Sequence, residues 1–271
     1  MTHDPCRPHD VVADDGARLQ GCAHGGHLTG WWPAGESRSR LWMSSTSTCG
    51  PGAAIRGGVP VVFPQFGVLG PLPKHGFART VAWEPEHPST TGEARLAFAT
   101  TIPARGDWPH QATLTLSASA RAQILTVRLA VANTGSTPFA FTAALHTYLH
   151  VSGTSDAGIS GLEGRAADDA AAGGRPTTLP EERLSTVGPL DLMIRDVREA
   201  LVLHDAAQPD LAISTEGFAD WVVWNPGAGH GLSDVPAGDE ADFVCIEPAV
   251  LEPTPIAPGH AWQASLNMTA R

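Results

Sequence analysis

Short segments in which apolar and polar residues alternate recur through the chain, with glycine- and proline-rich turns between them. The run TLTLSASA at 113–120 is one example, and other candidate strands lie at 124–151, 200–205, 210–214, 220–224, 242–247 and 261–268. A period of two places alternate side chains on opposite faces of a strand, and helical periodicity is almost absent. This short, regular spacing predicts an all-β, antiparallel sandwich with few or no long helices.

Two segments predict particular connections. Segment 124–151 contains a strand pattern, an Asn-Thr-Gly-Ser turn and a second long strand pattern, which predicts a β-hairpin. Segment 163–182, EGRAADDAAAGGRPTTLPEE, is polar and rich in glycine and alanine. That composition is unsuited to a core and predicts a surface loop inside the domain.

The length and composition favour one folded domain spanning residues 1–271. Large all-β domains commonly reach 271 residues without dividing. A hydrophobic fraction of 42% is enough for a sizeable core, and the 29 glycines and 23 prolines indicate many turns.

Charge and targeting signals restrict the partners and the location. A formal net charge of −11 argues against nucleic acid and anionic membranes as partners, since both require a broad basic surface. The first residues show no basic region followed by an apolar run, and no stretch approaches the length of a membrane span. We therefore expect a cytoplasmic protein. The four cysteines, at 6, 22, 49 and 245, form no C-x-x-C pair, and we expect reduced thiols.

Three ring-bearing polar residues alternate near the end of segment 124–151. His146, Tyr148 and His150 would project from one face of a strand, which indicates the lining of a site. The same alternation also fits a row of surface or half-buried residues. A zinc site is a further alternative, but the sequence shows no obvious third ligand near the two histidines, and the cysteines are scattered. We expect no bound metal.

The segment VCIEPA at 244–249 contributes a candidate carboxylate. Glu247 stands before Pro248 at the predicted end of an apolar strand, where a carboxylate can reach over the rim of a sheet into a cleft. A buried glutamate requires a partner or a chemical purpose. The alternative is a solvated carboxylate at a strand end.

Cations gather in one stretch of this acidic chain. Arg56, Lys74, His75 and Arg79 lie within 56–79, and Lys74 is the only lysine of the protein. Glycines there permit tight turns, and prolines stiffen the chain between the basic residues. Because extended polyanions are excluded as partners, we expect these cations to act locally. For His75, a purely structural role in the loop is the alternative.

Five segments together resemble one family. AIRGGVPVVFPQFG, LPKHGFAR, ALHTYLHV, DWVVWNPG and VCIEPA occur in the order and approximate spacing of the D-hexose-6-phosphate mutarotases, the glucose-6-phosphate 1-epimerase branch of the aldose 1-epimerase superfamily. The resemblance covers about residues 30–265. It implies a galactose mutarotase-like β-supersandwich, with two large antiparallel sheets and a sugar cleft on one of them. It also implies an isomerase with a small-molecule substrate, a hexose 6-phosphate, and no cofactor or metal. We expect a monomer.

The resemblance also implies the catalytic residues. By position, His146 matches the family's general acid and Glu247 its general base. Exchange of anomers requires removing the C1 hydroxyl proton and protonating the ring oxygen, which one base and one acid can perform. We expect the neighbouring Glu247 carboxylate to favour the protonated form of His146.

Further positions match substrate-binding residues of the family. Arg56 and Arg79 match the arginines that hold the sugar phosphate, and a guanidinium can pair with two phosphate oxygens at once. Lys74 stands where the family usually has glutamine. The lysine either adds a contact to the phosphate or replaces one polar contact by another. His75 is a candidate for bonding a sugar hydroxyl.

The resemblance assigns Asp191, the last candidate for a substrate-binding residue, less directly. Asp191 corresponds to the aspartate of a family segment that contacts the sugar. The arginine and tyrosine of that segment are replaced here by Leu192 and Ile194.

Two other functions fit the sequence. One is a mutarotase for unphosphorylated aldoses or for another phosphosugar, because related folds host several specificities. The other is a noncatalytic sugar-binding β-sandwich, against which the presence of both His146 and Glu247 argues.

Overall fold

The computed structural model describes residues 4–86 and 92–271. Its first half contains ten strands: β1 (Pro8–Val12), β2 (Arg18–Cys22), β3 (His27–Trp32), β4 (Val61–Val62), β5 (Glu84–Glu86), β6 (Ala94–Ile102), β7 (Ala112–Arg121), β8 (Ile124–Asn133), β9 (Phe139–Leu145) and β10 (Tyr148–His150). The second half contains ten more: β11 (Ala157–Ser160), β12 (Ala166–Asp169), β13 (Arg175–Thr178), β14 (Leu184–Ser185), β15 (Leu190–Ile194), β16 (Leu201–Asp205), β17 (Gln208–Glu216), β18 (Asp220–Asn225), β19 (Phe243–Ile256) and β20 (Ala261–Ala270).

Helical structure in the described residues is confined to three single 3₁₀ turns, at Ala78–Thr80, Thr154–Asp156 and Asp239–Ala241. The predicted all-β class with few or no long helices is thereby confirmed. No helix among the described residues has the length and apolarity needed to cross a bilayer.

Two large antiparallel sheets form the architecture. The nine-stranded sheet has the order β14-β11-β16-β17-β20-β8-β7-β6-β5. The eight-stranded sheet has the order β13-β12-β15-β18-β19-β9-β4, and β10 also pairs with β19. Strands β1, β2 and β3 form a separate three-stranded sheet.

The main core lies between the two large sheets. Leu116 and Leu129 from the nine-stranded sheet and Leu145, Val223 and Ile246 from the eight-stranded sheet belong to one buried cluster. Because side chains alternate along a strand, the intervening residues of the eight-stranded sheet point away from this core. We call that second face the outer face.

The structure corrects the predicted hairpin at 124–151. Strand β8 pairs with β7 and β20, whereas β9 pairs with β4 and β19 in the other large sheet. The Asn-Thr-Gly-Ser turn therefore connects the two sheets. Alternation identifies a strand but carries no information on which strand will pair with it, and that is why the hairpin prediction was wrong.

The predicted loop at 163–182 is also different in the structure. It contains β12 and β13, which pair at the edge of the eight-stranded sheet. The turn between them includes Gly173 and Gly174, both with positive φ, as tight hairpin turns require. The surface location is correct, because all four residues of β13 are exposed. Backbone pairing at a sheet edge needs little apolar surface, so composition alone did not indicate these strands.

The cysteine prediction was wrong for one pair. Cys6 and Cys49 form a disulfide, with their Cα atoms 5.9 Å apart. Cys22 and Cys245 are free and buried. The two bonded cysteines are 43 positions apart and meet only because the chain folds back on itself, which spacing in the sequence does not indicate.

Candidate active site

Glu247 lies in the middle of a strand on the outer face. Strand β19 continues nine residues past it to Ile256, so the predicted position at a strand end was wrong. Val244 and Ile246 belong to the main core, and the alternation places Cys245 and Glu247 on the opposite face. The Glu247 side chain is 1% exposed. Its carboxylate is therefore a buried group on a sheet surface and does not project over a rim.

His146 lies beside Glu247 on the neighbouring chain segment, between β9 and β10. Ala144 pairs with Ala249, and Tyr148 pairs with Cys245, which places His146 next to Glu247. Nδ1 of His146 is 3.2 Å from Oε1 of Glu247. Neither His146 Nδ1 nor Glu247 Oε2 has a hydrogen-bond partner within the described residues. Two buried polar groups without partners are costly, which indicates that a ligand completes them.

Aromatic residues fix the orientation of the His146 ring. The ring of Tyr148 stacks on it at 4.8 Å with an interplanar angle of 6°. The indole of Trp224 contacts both rings edge-on. Of the three predicted rings, only His146 lines the cavity, and both Tyr148 and His150 are absent from its wall.

Electrostatics favours the uncharged form of the His146–Glu247 pair. Burial lowers the pKa of His146 well below its usual value, and the nearby His75, Arg79 and Arg56 lower it further. Burial raises the pKa of Glu247 well above its usual value, and Asp191 adds to the increase. The expectation that Glu247 keeps His146 protonated was wrong, because desolvation outweighs the attraction between the two groups. Both shifts disfavour an ion pair between a His146 imidazolium and a Glu247 carboxylate.

The basic segment 56–79 packs against the outer face. Gly57 and Gly58 follow Arg56 with φ values of 107° and 62°, and a Cβ on Gly58 would come within 2.3 Å of the Leu28 carbonyl oxygen. Only glycine fits such a conformation and such a close approach. The Gln65 side chain then ties the loop together, since it bonds the carbonyl oxygens of Gly67 and Leu72 and accepts from the Leu72 amide.

The two arginines of this segment differ in their partners. Arg56 pairs with Asp234 at 3.0 Å and donates to the Tyr148 hydroxyl at 2.7 Å. Arg79 has no carboxylate within 4.0 Å among the described residues, and its buried Nε has no hydrogen-bond partner there. Burial lowers the pKa of Arg79, and the charge of Arg56 adds to the decrease. Arg79 is thus a partly buried cation without a counter-ion, which an anionic ligand would stabilise.

His75 is a neutral hydrogen-bond donor. Its Nδ1 accepts a hydrogen bond from the Gly67 amide at 3.3 Å, so the ring proton resides on Nε2. Burial, with contributions from Arg79 and Lys74, lowers the pKa of His75 to about 3. Lys74, the residue before His75, is exposed at the edge of the same cavity.

Asp191 reaches the site from β15, on the same outer face. Its neighbours Leu192 and Ile194 point into the main core. The two departures from the family segment therefore fall on the opposite face of the sheet from Asp191. Burial raises the pKa of Asp191, Lys74 opposes that shift, and Asp169 adds to it.

These residues line a single cavity of about 310 Å³. All seven site residues expected from the sequence contribute to its wall: His146, Glu247, Arg56, Lys74, His75, Arg79 and Asp191. Apolar side chains complete the wall, namely Phe66, Val68, Leu69, Met193, Val222, Trp224 and Leu232. A cavity of this size with a few convergent polar groups is suited to a small polar molecule.

The aldose 1-epimerase family model matches residues 11–269. The chain belongs to this family. Two relatives each carry the description "Putative glucose-6-phosphate 1-epimerase". The one from Cenchrus ciliaris is 30% identical over 270 residues, which cover 91% of this chain and 79% of the relative. The one from Escherichia coli K12 is 34% identical over 242 residues, which cover 85% and 79% of the two chains.

Solved structures of similar proteins confirm the fold class. A crystal structure described as a putative mutarotase from Salmonella typhimurium superimposes with a TM-score of 0.87 at 25% identity, covering 97% of this chain and 90% of that one. One described as a putative aldose 1-epimerase from Escherichia coli K12 has a TM-score of 0.76 at 14% identity, covering 98% and 99%, and it supports the fold alone. The epimerase family member described here thus has the expected galactose mutarotase-like β-sandwich.

Sequence reasoning missed two residues that shape the site and one buried residue outside the cavity wall. Asp234 neutralises Arg56, and Gln65 orders the loop, but both are single polar residues in turn-rich segments without a pattern. Cys245 is the third. His146, Cys245 and Glu247 carry potential metal-ligand atoms that all lie within 4.8 Å of one another. The sequence showed no obvious third ligand near His146 and His150, and the group in the structure contains His146 without His150, although alternation from Glu247 would have pointed to Cys245.

Proposed function

We propose that this protein interconverts the α and β anomers of a hexose 6-phosphate, with glucose 6-phosphate as the first substrate to test. The proposal is carried by one observation: a buried, incompletely bonded His146–Glu247 pair shares a cavity with Arg79, a cation with no carboxylate within 4.0 Å among the described residues. The first feature suits proton transfer on the sugar, and the second suits a phosphate. Family membership and the printed names of the relatives support the same assignment.

Acid–base chemistry at the anomeric carbon needs one proton donor and one acceptor. Opening the ring removes the C1 hydroxyl proton and delivers a proton to the ring oxygen, and rotation about C1–C2 followed by re-closure yields the other anomer. In the assigned roles, Glu247 takes the hydroxyl proton and His146 protonates the ring oxygen. Each positioned proton transfer typically contributes about 10²–10⁴-fold.

The charge state of the pair is compatible with these roles. A protonated Glu247 beside a neutral His146 holds the same number of protons as a carboxylate beside an imidazolium. Transfer of the proton across the 3.2 Å gap, or through the sugar hydroxyl that bridges the groups, converts one form into the other. The two residues exchange roles on re-closure, so the enzyme returns to its starting state whichever anomer binds.

The phosphate group fits the basic side of the cavity. A phosphate dianion would supply the missing counter-ion of Arg79 and could be shared with Arg56, whose charge is partly balanced by Asp234. Guanidinium groups bind phosphate through paired, charge-assisted hydrogen bonds. His75, with its proton on Nε2, and the carboxylate of Asp191 are the proposed partners of sugar hydroxyls.

The proposal also covers the domain organisation, oligomeric state, location and partners of the protein. We propose a single domain over residues 1–271, because strands from both large sheets share one core cluster. We also propose that the protein is a monomer. We place it in the cytoplasm, since a phosphosugar dianion does not cross a bilayer unaided. The net charge of −11 supports the absence of nucleic acid and anionic membrane among its partners.

The direct test is anomer exchange measured by NMR magnetisation transfer between the two H1 signals. We expect the protein to accelerate exchange of glucose 6-phosphate well above the spontaneous rate and to act far more weakly on glucose. Comparison with other hexose 6-phosphates ranks the substrates. Equal acceleration of glucose and glucose 6-phosphate would instead favour a mutarotase for unphosphorylated aldoses. No acceleration of any sugar, combined with measurable sugar binding, would favour the noncatalytic alternative.

A further inference from the structure

Cys245 is a buried thiol that the proposed reaction does not use. It lies two residues before Glu247 on the outer face of β19 and opposite Tyr148 on β10. It is fully buried and free, and it does not line the cavity. Burial raises the pKa of the Cys245 thiol well above its usual value, so the group is an inert thiol in the metal-free protein.

The three neighbouring side chains offer a sulfur, a nitrogen and an oxygen atom. One such atom from each of His146, Cys245 and Glu247 lies within 4.8 Å of the others. Tetrahedral Zn²⁺ at its normal bond lengths holds such atoms about 3.4–3.6 Å apart. The gap between His146 Nδ1 and Glu247 Oε1 is already 3.2 Å. To enclose an ion, the separations of the Cys245 sulfur from the other two atoms, at most 4.8 Å, must shorten to that range.

Two of the three side chains carry a buried polar atom that lacks a partner in the described residues. His146 Nδ1 and Glu247 Oε2 are buried without a hydrogen bond, on side chains that are 7% and 1% exposed. Both residues line the cavity, which gives an ion a path to the site. A thiolate and a carboxylate together cancel the charge of a divalent ion, so the complex remains neutral beside Arg56 and Arg79.

We propose that His146, Cys245 and Glu247 bind a soft divalent cation such as Zn²⁺, and that the bound ion inhibits the enzyme. Binding displaces the protons of the Cys245 thiol and the Glu247 carboxyl group, while His146 donates its neutral nitrogen. The fourth coordination position faces the cavity. Inhibition follows because both proton carriers of the reaction become metal ligands; this part rests on the proposed function, whereas the binding itself does not.

Metal binding is tested first, without reference to activity. Chelator-treated protein is titrated with Zn²⁺ by calorimetry, and with Co²⁺, whose bond to a thiolate gives a charge-transfer absorption. We expect one ion per chain with the thiolate absorption, and a loss of affinity of about tenfold or more in Cys245→Ala. Cys22→Ala is the matched control, since Cys22 is the other free buried thiol, and it should bind like the wild type. Equal affinity in Cys245→Ala and wild type, or no binding by the wild type, overturns the proposal.

Two further measurements keep the result interpretable. Thermal unfolding shows whether Cys245→Ala is folded. If it is not, the nearly isosteric variant Cys245→Ser replaces it in the titrations. In the wild type alone, saturating glucose 6-phosphate should displace Co²⁺ and abolish the thiolate absorption. Persistence of the absorption at saturating sugar phosphate contradicts a shared site.

Inhibition is then measured by NMR anomer exchange. Zn²⁺ at a concentration that halves wild-type turnover should leave Cys245→Ala almost unaffected, while metal-free turnover of that variant stays within about twofold of wild type. Identical zinc inhibition of the two proteins overturns the inhibitory role. If the wild type turns over no sugar at all, the proposed function fails, and the binding titrations still decide the metal site.

Discussion

Nδ1 of His146 lies 3.2 Å from Oε1 of Glu247, and the two side chains come from neighbouring segments of one sheet rather than from flexible loops. Tyr148 stacks against the imidazole from one side, and Trp224 contacts its edge. This packing leaves the His146 ring little freedom to turn. The pair is thus held ready before a sugar binds, and such preorganisation favours proton transfer.

The first prediction concerns this pair. His146→Asn should lower kcat by two or more orders of magnitude and leave the affinity for glucose 6-phosphate largely unchanged, because a proton carrier is lost while Arg79 is retained. Turnover is measured by NMR exchange and binding by calorimetry. Glu247→Gln should behave similarly, and the double variant should be little slower than the slower single one, since the two residues act as a unit. Near-normal turnover of His146→Asn would exclude it from the mechanism.

The second prediction concerns Arg79, the proposed phosphate ligand. Arg79→Ala should cost about 2–5 kcal/mol in kcat/KM for glucose 6-phosphate, the scale for removing one member of a buried charge pair. The slow reaction with glucose should hardly change, because glucose has no phosphate to hold. The ratio of kcat/KM for the two sugars is the decisive quantity. An equal decrease for both sugars would mean that Arg79 supports the loop.

Lys74→Gln provides the graded control for this measurement. Lys74 is exposed at the cavity edge, so its contact with phosphate would be screened by water. We expect a loss of about 1 kcal/mol or less in kcat/KM for glucose 6-phosphate. A loss as large as that of Arg79→Ala would place Lys74 among the principal phosphate ligands.

The third prediction concerns the order of the basic loop. Gln65→Ala removes three hydrogen bonds to Gly67 and Leu72 and leaves their backbone groups without partners. We expect KM for glucose 6-phosphate to rise and the free energy of unfolding to fall by about 1–3 kcal/mol. Gln123→Ala, which removes a single bond to Ala34 far from the site, should leave KM unchanged. A wild-type KM in Gln65→Ala would show that the loop keeps its shape without this side chain.

The fourth prediction concerns acid stability. Burial lowers the pKa of His27 to about 4, against an ordinary value of 6.5, and its Nε2 donates to the Gly57 carbonyl oxygen. Between these values the unfolded chain binds a proton that the folded protein excludes. The free energy of unfolding therefore decreases as the pH falls from 6.5 towards 4, by up to about 1.4 kcal/mol per pH unit for this one group.

The variant His27→Gln removes that contribution while keeping a donor for Gly57. The free energy of unfolding is measured by urea titration at pH values from about 4.5 to about 8, a range that spans the two pKa values of His27. As the pH falls, it should decrease less steeply for the variant than for the wild type. Above about pH 7 the two curves should run parallel, since neither state then binds the proton. Identical slopes below pH 6.5 would mean that folded His27 is protonated normally.

The fifth prediction concerns metal removal. Prolonged treatment with a chelator should not lower the mutarotase rate, because the reaction requires only proton transfers. A preparation that carries the proposed inhibitory ion should instead become faster. Loss of activity that added zinc restores would contradict both the metal-free mechanism and the inhibitory role of the His146, Cys245 and Glu247 group.

The sequence alone was sufficient for the fold class and for much of the site. Strand alternation is a local property, so it identified the segments that became β7, β18 and β20 without knowledge of their partners. The five family-like segments likewise carried six of the seven expected site residues, and Asp191 came from a weaker match outside them. Such residues can be found in a sequence because the chemistry of a site restricts residue type at each position more tightly than packing does.

Only the tertiary structure decided which segments meet and what charge they carry. Strand β8 pairs away from β9 because sheet register depends on contacts distant in the chain, and Cys6 meets Cys49 for the same reason. The burial of His146 and Glu247 shifts their pKa values against the ion pair expected from their proximity, since desolvation depends on every residue packed around the pair. Three-dimensional packing likewise gives Arg56 its counter-charge, leaves Arg79 without one in the part of the chain that the structure describes, and places Cys245 beside the pair. No local sequence pattern corresponds to these relationships.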